Sequence, residues 1–240
     1  MKKLFLVKTG KTFPALIKRR GDFDQWFIQC LGFSPDHIEI VEVFEGEPLP
    51  DELDDVAGVL VTGSPAMVTD RERWSELTAK WLCQVHQSSI PLLGICYGHQ
   101  LIAHALGGKV ANNPNGFEAG IVEIHLNEAC DTDILLKELP KTLSVHAMHR
   151  QVVVTLPPET VILASNPHTD YQAYKIGETT WGLQFHPEFD ADIMRTYLAE
   201  REAVFIKEGI DVETARQNAA DTPYGDMLLK RFATLVQTRI

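Results

Sequence analysis

Pro91-Leu92-Leu93-Gly94-Ile95-Cys96-Tyr97-Gly98-His99-Gln100 is the stretch on which the architecture of this chain turns. An apolar run ends in a cysteine that has a glycine two places to either side, and Leu101-Ile102-Ala103-His104-Ala105-Leu106 follows without a break. A short apolar run of this kind reads as a strand covered on both faces, the sort that builds parallel sheets. It passes directly into a helix from about Gly98 to Leu106. So sharp a turn presses its flanking residues against the neighbouring strand and helix, which is why glycine suits positions 94 and 98. Cys96 is thereby presented at the carboxyl edge of the sheet, where open α/β folds bind ligands.

The segments upstream fit the same plan. Leu4–Val7 reads as a strand, and His37–Phe44 alternates and is rich in Ile and Val, as a strand does. Val56–Thr62 is a nearly continuous apolar run that ends at Gly63-Ser64-Pro65, a turn. Between these lie helical stretches: Asp22–Leu31, and a run in which Trp74, Leu77, Trp81, Leu82 and Val85 recur at helical spacing. Strands alternating with helices imply right-handed βαβ units. The expected fold class is α/β, with a mostly parallel central sheet flanked by helices. Beyond Val110 come short strand-like runs: Ile121–Leu126, Thr142–Met148, Val152–Leu156, Val161–Ala164, Tyr171–Ile176 and Trp181–Phe185. These suit a small antiparallel extension of the sheet. From Ala191 the pattern is helical, broken around Asp221–Gly225. No linker or shift in composition divides the chain, so residues 1–240 are expected to form one domain, with C-terminal helices from about 190 to 240.

The chain has 240 residues, and 22 Lys plus Arg against 33 Asp plus Glu give a net charge of −11. That balance argues against a sequence-independent nucleic-acid binder, whose affinity comes from cations on phosphates. No apolar run approaches the roughly 18–20 residues of a membrane span, and the apolar run after Lys3 is too short for a signal peptide. A cytoplasmic protein is expected. Cys30, Cys83, Cys96 and Cys130 form no C-x-x-C pair, which is poor material for a metal site; free thiols are expected.

A lone cysteine in a core is ordinarily inert. Cys96 differs in its neighbours. At a helix N-terminus the thiolate is favoured, and the N–H of Tyr97 is available to an oxyanion. The decisive companion is Gly182-Leu183-Gln184-Phe185-His186-Pro187-Glu188, where a second apolar strand ends in a histidine with a carboxylate two residues on. A thiol nucleophile needs a base, and the base needs a carboxylate to fix its tautomer. Nothing structural requires that grouping at two strand ends. The other suggestive patterns are weaker. Gly10-Lys11-Thr12 lacks the earlier glycine of a phosphate loop, since that position is Phe5. Cys83 and His86 are two lone potential ligands. His99 suits either the pocket or the helix surface. His146 and His149 fall on opposite faces of a strand. The acidic run Glu45–Asp55 reads as a solvated loop.

Taken together, Gly94-Ile95-Cys96-Tyr97-Gly98-His99-Gln100 and His186-Pro187-Glu188 resemble the class I glutamine amidotransferases, and the resemblance extends to about residue 190. It implies that family's flavodoxin-like fold and a Cys96–His186–Glu188 triad that hydrolyses the glutamine side-chain amide through a γ-glutamyl thioester. It further implies an oxyanion hole from the Gly63 and Tyr97 N–H groups. Gln100 and the Met148, His149 and Gln151 segment would bind substrate. Glu118-Ala119-Gly120 matches the family's Glu-x-Gly step, whereas Arg150 and Gln151 depart from the His-Gly-Asp of the guanylate-synthetase relatives. Within that family the chain resembles the stand-alone, guanylate-synthetase-like amidotransferase (glutaminase) domains of unassigned acceptor, a group that also includes γ-glutamyl peptidases.

Three functions follow as expectations. The first is release of glutamate and ammonia from L-glutamine, with ammonia used by an unidentified acceptor or a separate synthetase subunit. The second is hydrolysis of γ-glutamyl peptides or conjugates by the same triad. The third is a catalytically silent regulatory or binding subunit. A cysteine hydrolase of α/β-hydrolase type would place its acid between nucleophile and histidine, whereas here the candidate acid follows the histidine. Acyl chemistry through Cys96 calls for no cofactor or metal, and neither nucleic acid nor membrane is expected as a partner.

Overall fold

The computed structural model describes residues 1–240. Its centre is a nine-stranded sheet. One half is parallel and runs in the order β2 (Ile38–Glu42), β1 (Lys3–Lys8), β3 (Val56–Val61), β4 (Leu92–Ile95), β11 (Thr180–Leu183). The other half continues from β11 with antiparallel neighbours: β10 (Ala173–Ile176), β9 (Thr160–Ser165), β6 (Glu118–Leu126) and β7 (Thr142–His149). A separate ribbon pairs β5 (Lys109–Asn112) with β8 (Gln151–Thr155). The parallel sheet with an antiparallel extension is therefore the fold that the alternation of strand and helix patterns implies, and the extension, with four strands against five, is larger than the small one expected.

The period of two along each strand divides the core. Leu4 and Leu6 of β1, with Leu60 and Leu93, face a cluster closed by Phe27 of α2 (Phe23–Leu31) and by Leu229, Phe232 and Val236 of α8 (Gly225–Gln237). Phe5 and Val7, with Val59, Val61 and Leu92, face the other side. There they meet Trp81, Leu82 and Val85 of α3 (Arg73–Gln87) and Leu101 and Ile102 of α4 (Tyr97–Ala105). Burying such side chains is worth about 1.5–3 kcal/mol each, and covering both faces explains why β3, β4 and β11 have no exposed residue.

A third apolar cluster lies over the carboxyl edge of the sheet. It joins Leu16 of α1 (Pro14–Arg20), Phe23 and Trp26 to Met148, Phe189 and Tyr197, Leu198 and Phe205 of α5 (Ala191–Glu200) and α6 (Glu202–Lys207). The helix α7 (Val212–Asn218) contributes Val212. Asp22 caps α2 by accepting from the Phe23 N–H at 2.9 Å, and it also accepts from the Thr12 N–H at 2.9 Å. One aspartate thus fixes both the helix start and the loop that runs past the sheet edge. No helix is long and apolar enough to cross a membrane.

Candidate active site

β4 and β11 are adjacent and parallel, with Ile95 opposite Leu183. Their carboxyl ends therefore deliver Cys96, one residue past β4, and His186, three residues past β11, to the same edge. Backbone bonds fix both. The Cys96 N–H donates to Leu183 O at 2.8 Å, the Gly98 N–H to Thr62 O at 3.2 Å, and the His186 N–H to His146 O at 2.8 Å.

The elbow is as tight as its glycines imply. Cys96 itself has φ 51° and ψ −97°, in the half of conformational space that L-residues avoid. A Cβ on Gly98 would stand 2.5 Å from Val61 O, and one on Gly94 would overlap the Gly98 carbonyl. α4 can approach β3 and β4 this closely only where no side chain intervenes.

His186 Nδ1 lies 2.7 Å from Glu188 Oε1, and both side chains are buried. Burial alone would lower the imidazole's pKa. The Glu188 carboxylate and the Cys96 sulfur raise it by more, to about 10. The imidazolium is thus the favoured form beside the Glu188 carboxylate. Nδ1 being engaged, Nε2 is the nitrogen left for a reacting group. The Cys96 thiol has Met148 O as its acceptor, at 3.7 Å. Gly63 stands against both groups: a Cβ there would be 3.0 Å from His186 Cε1 and 3.7 Å from Cys96 Cβ.

Two backbone N–H groups flank the thiol. Tyr97 is the first residue of α4, so its N–H has no acceptor within the helix. Its side chain is turned away, donating to Ser75 Oγ at 2.7 Å and stacking on Trp74. The Gly63 N–H donates to no protein group, whereas Gly63 O accepts from the hydroxyls of Thr9 and Thr62.

Cys96 opens into a cleft of about 210 Å³ lined by Gln100, Met148, His149 and Gln151 among others. Gln100 uses its amide nitrogen on Gln151 O at 2.7 Å and Gln184 Oε1 at 3.1 Å. Gln151 reaches across to Thr69 Oγ1 at 2.6 Å and ties the loop after β3 to β8. His149 Nε2 is 2.9 Å from Glu118 Oε2, although it is poorly aligned for a hydrogen bond. Glu118 is buried; burial opposes its charge, and His149, Asn166 and Thr169 overcome that, holding its pKa at about 2. Gln172 also donates to it at 2.8 Å.

Several residues that line the cleft carry no motif: Phe13, Phe23, Phe117, Tyr197 and Arg201. They come from loops and helices that read as packing elements, and only their convergence in space marks them. His99 lines nothing; it is fully buried against Tyr174, and burial pushes its pKa down to about 3. His146, on the strand face opposite His149, is buried as well, at about 4. Cys83 bonds to Ala105 O and His86 to Thr180 Oγ1, so both serve packing.

The fold and site define an α/β protein with a thiol on a strand–helix elbow beside a buried imidazole–carboxylate pair. The sequence pattern of glutamine amidotransferase class-I matches residues 23–205, and the chain belongs to that family. The GMP synthase [glutamine-hydrolyzing] of Aeropyrum pernix is 34% identical over 185 residues, which are 77% of this chain and 32% of that protein. The chain thus spans about a third of that relative's length. Gamma-glutamyl peptidase 3 of Arabidopsis thaliana is 27% identical over 196 residues, 80% of this chain and 78% of the peptidase. The crystal structure of a glutamine amidotransferase from Thermotoga maritima superposes with a TM-score of 0.74 at 20% identity, covering 100% of this chain and 98% of that one.

Proposed function

We propose that Cys96, His186 and Glu188 hydrolyse the side-chain amide of a γ-glutamyl group through a thioester. The observation that carries this reading is the 2.7 Å contact between His186 Nδ1 and Glu188 beside a thiol held on a strained elbow. The Cys96 sulfur attacks the carbonyl carbon as a thiolate beside the His186 imidazolium. The Gly63 and Tyr97 N–H groups receive the oxyanion, each worth about 3–4 kcal/mol in the transition state. His186 then gives its proton to the leaving nitrogen, the C–N bond breaks, and the γ-glutamyl thioester remains. Water, deprotonated by His186, releases glutamate and restores the thiol. Glu188 orients His186 and steadies its charge throughout. Gln100, Met148, His149 and Gln151 hold the glutamyl portion from the cleft wall.

L-Glutamine is the first substrate reading, with ammonia passed to a separate synthetase subunit. The match to part of a glutamine-hydrolysing GMP synthase supports it. The second reading is a γ-glutamyl peptide or conjugate. It is favoured by the apolar lining beyond Cys96 and by the match along most of a γ-glutamyl peptidase. We place the reaction in the cytoplasm, where thiols such as Cys96 stay reduced. The test is glutamate release from L-glutamine and from a γ-glutamyl dipeptide, side by side, by wild type and Cys96→Ser. Turnover that survives in Cys96→Ser, or is absent for both substrates, overturns the reading.

A further inference from the structure

The leaving group of the reaction has a definite side of the site. His186 supplies the proton to the departing nitrogen, so whatever that nitrogen carries lies next to the imidazole. From His186 a file of aromatic rings runs outward: Phe189 stacks on it at 4.2 Å between centroids, Tyr197 follows at 5.0 Å, and Phe13 at 4.9 Å beyond Tyr197. Tyr197 and Phe13 line the cleft, as do Phe23 and Phe117. The Tyr197 hydroxyl is anchored to Thr12 Oγ1 at 2.7 Å, and Phe117 is braced on Phe205 at 5.0 Å. The wall is therefore built and held rather than loose. Ammonia, the leaving group of glutamine, has no surface to place against it.

The rim of the same wall is cationic. Lys11 is engaged by Glu45 at 2.9 Å, and Arg150 has Glu208 at 3.7 Å. Arg201, which follows α5, makes no salt bridge; its guanidinium sits 5.9 Å from the Phe13 ring centre. An aromatic wall beside the general acid, ending in an arginine free of carboxylates, suits a leaving amine that bears a ring and a carboxylate.

Resting on the γ-glutamyl hydrolysis proposed above, we propose that the substrates are γ-glutamyl conjugates of aromatic amino acids. The ring packs between Phe13, Phe117 and Tyr197, and the terminal carboxylate pairs with Arg201. The Cys96 sulfur–carbon bond forms and the amide C–N bond breaks. The aromatic amino acid leaves as the amine with the proton from His186, and water then cleaves the thioester to glutamate.

The experiment compares kcat/KM for γ-glutamyl-phenylalanine, γ-glutamyl-alanine, γ-glutamyl-phenethylamide and L-glutamine, with wild type, Phe13→Ala, Arg201→Gln and Cys96→Ser. The ring should be worth about ten-fold or more between the phenylalanine and alanine conjugates, and Phe13→Ala should reduce that ratio. Arg201→Gln should cut the preference for γ-glutamyl-phenylalanine over the phenethylamide by about ten-fold. Equal turnover of the phenylalanine and alanine conjugates overturns the aromatic subsite while leaving Cys96 chemistry standing. An Arg201→Gln effect equal on both ring-bearing substrates would place Arg201 on the glutamyl α-carboxylate and overturn its assignment. Absence of Cys96-dependent turnover for all four substrates overturns the underlying reading as well. Calorimetric titration of γ-glutamyl-phenylalanine and γ-glutamyl-alanine into folded Cys96→Ser supplies a binding ratio independent of turnover, and equal affinities there count against the subsite.

Discussion

Replacing Cys96 by glycine and, separately, by alanine removes the thiol from both proteins and leaves one difference between them, the Cβ atom. At φ 51° and ψ −97° that atom is strained against its own backbone. Residues held in such regions cost of order 1–3 kcal/mol. Glycine avoids this cost but loses more chain entropy on folding, roughly 0.5–1 kcal/mol relative to alanine. The balance favours Cys96→Gly over Cys96→Ala by about 1 kcal/mol, which is near 2–4 °C in Tm for a chain of this size. At an unstrained position the order is reversed, so the sign alone is diagnostic. Thermal unfolding followed by circular dichroism measures it. An alanine variant as stable as the glycine variant, or more stable, refutes the strained elbow and with it the argument that the turn thrusts Cys96 forward.

Gly98→Ala places a Cβ 2.5 Å from Val61 O, backbone that cannot move without shifting β3. We expect a loss of about 2–3 kcal/mol, read as a lower urea midpoint. Raising the pH tests the His186–Glu188 pair. The folded pKa, about 10, lies above the unfolded value, about 6.5. The stability it supplies is therefore complete below about pH 6.5 and is lost as pH rises towards about 10. Glu188→Gln should flatten that alkaline slope in urea midpoints measured across the range. Glu118 acts on the other side. Its folded pKa of about 2 lies below the model-peptide value, so its contribution is present above about pH 4.5 and lost as pH falls towards about 2. Glu118→Gln should remove that acid slope, again by urea midpoints.

What the sequence displays and what it hides divide along a physical line. β1, β3 and β4 are buried on both faces, so their apolar runs are local and legible, and the paired glycines at 94 and 98 mark the elbow. Cys96, His186 and Glu188 stand out because strand ends and a two-residue spacing are also local patterns. α1 was not legible: its seven residues hold one buried side chain, Leu16, and three successive basic residues at its end. Lys8 follows the apolar run Leu4–Val7 as an ordinary charged residue, yet it is buried with Asp22, Asp24 and Glu42 around its ammonium group. That cluster joins residues far apart in the chain, which no short window displays. The cleft wall is hidden for the same reason. Phe13, Phe117 and Tyr197 lie on three separate segments, and the docking of α5 and α6 over the sheet edge brings them together. His99 lies within the elbow motif, three residues after Cys96, and its burial depends on Tyr174 of β10, a strand remote in sequence.

The proposed reaction stands or falls on a covalent γ-glutamyl intermediate on Cys96. Rapid mixing of the protein with L-glutamine or γ-glutamyl-phenylalanine, acid quenching within the first turnovers, and mass spectrometry of the proteolysed chain test it directly. With wild type the peptide carrying Cys96 should gain the mass of one γ-glutamyl group, and Cys96→Ala should show no adduct at any position. A γ-glutamyl adduct on Cys30, Cys83 or Cys130, or steady glutamate release by the Cys96→Ala protein, would contradict it.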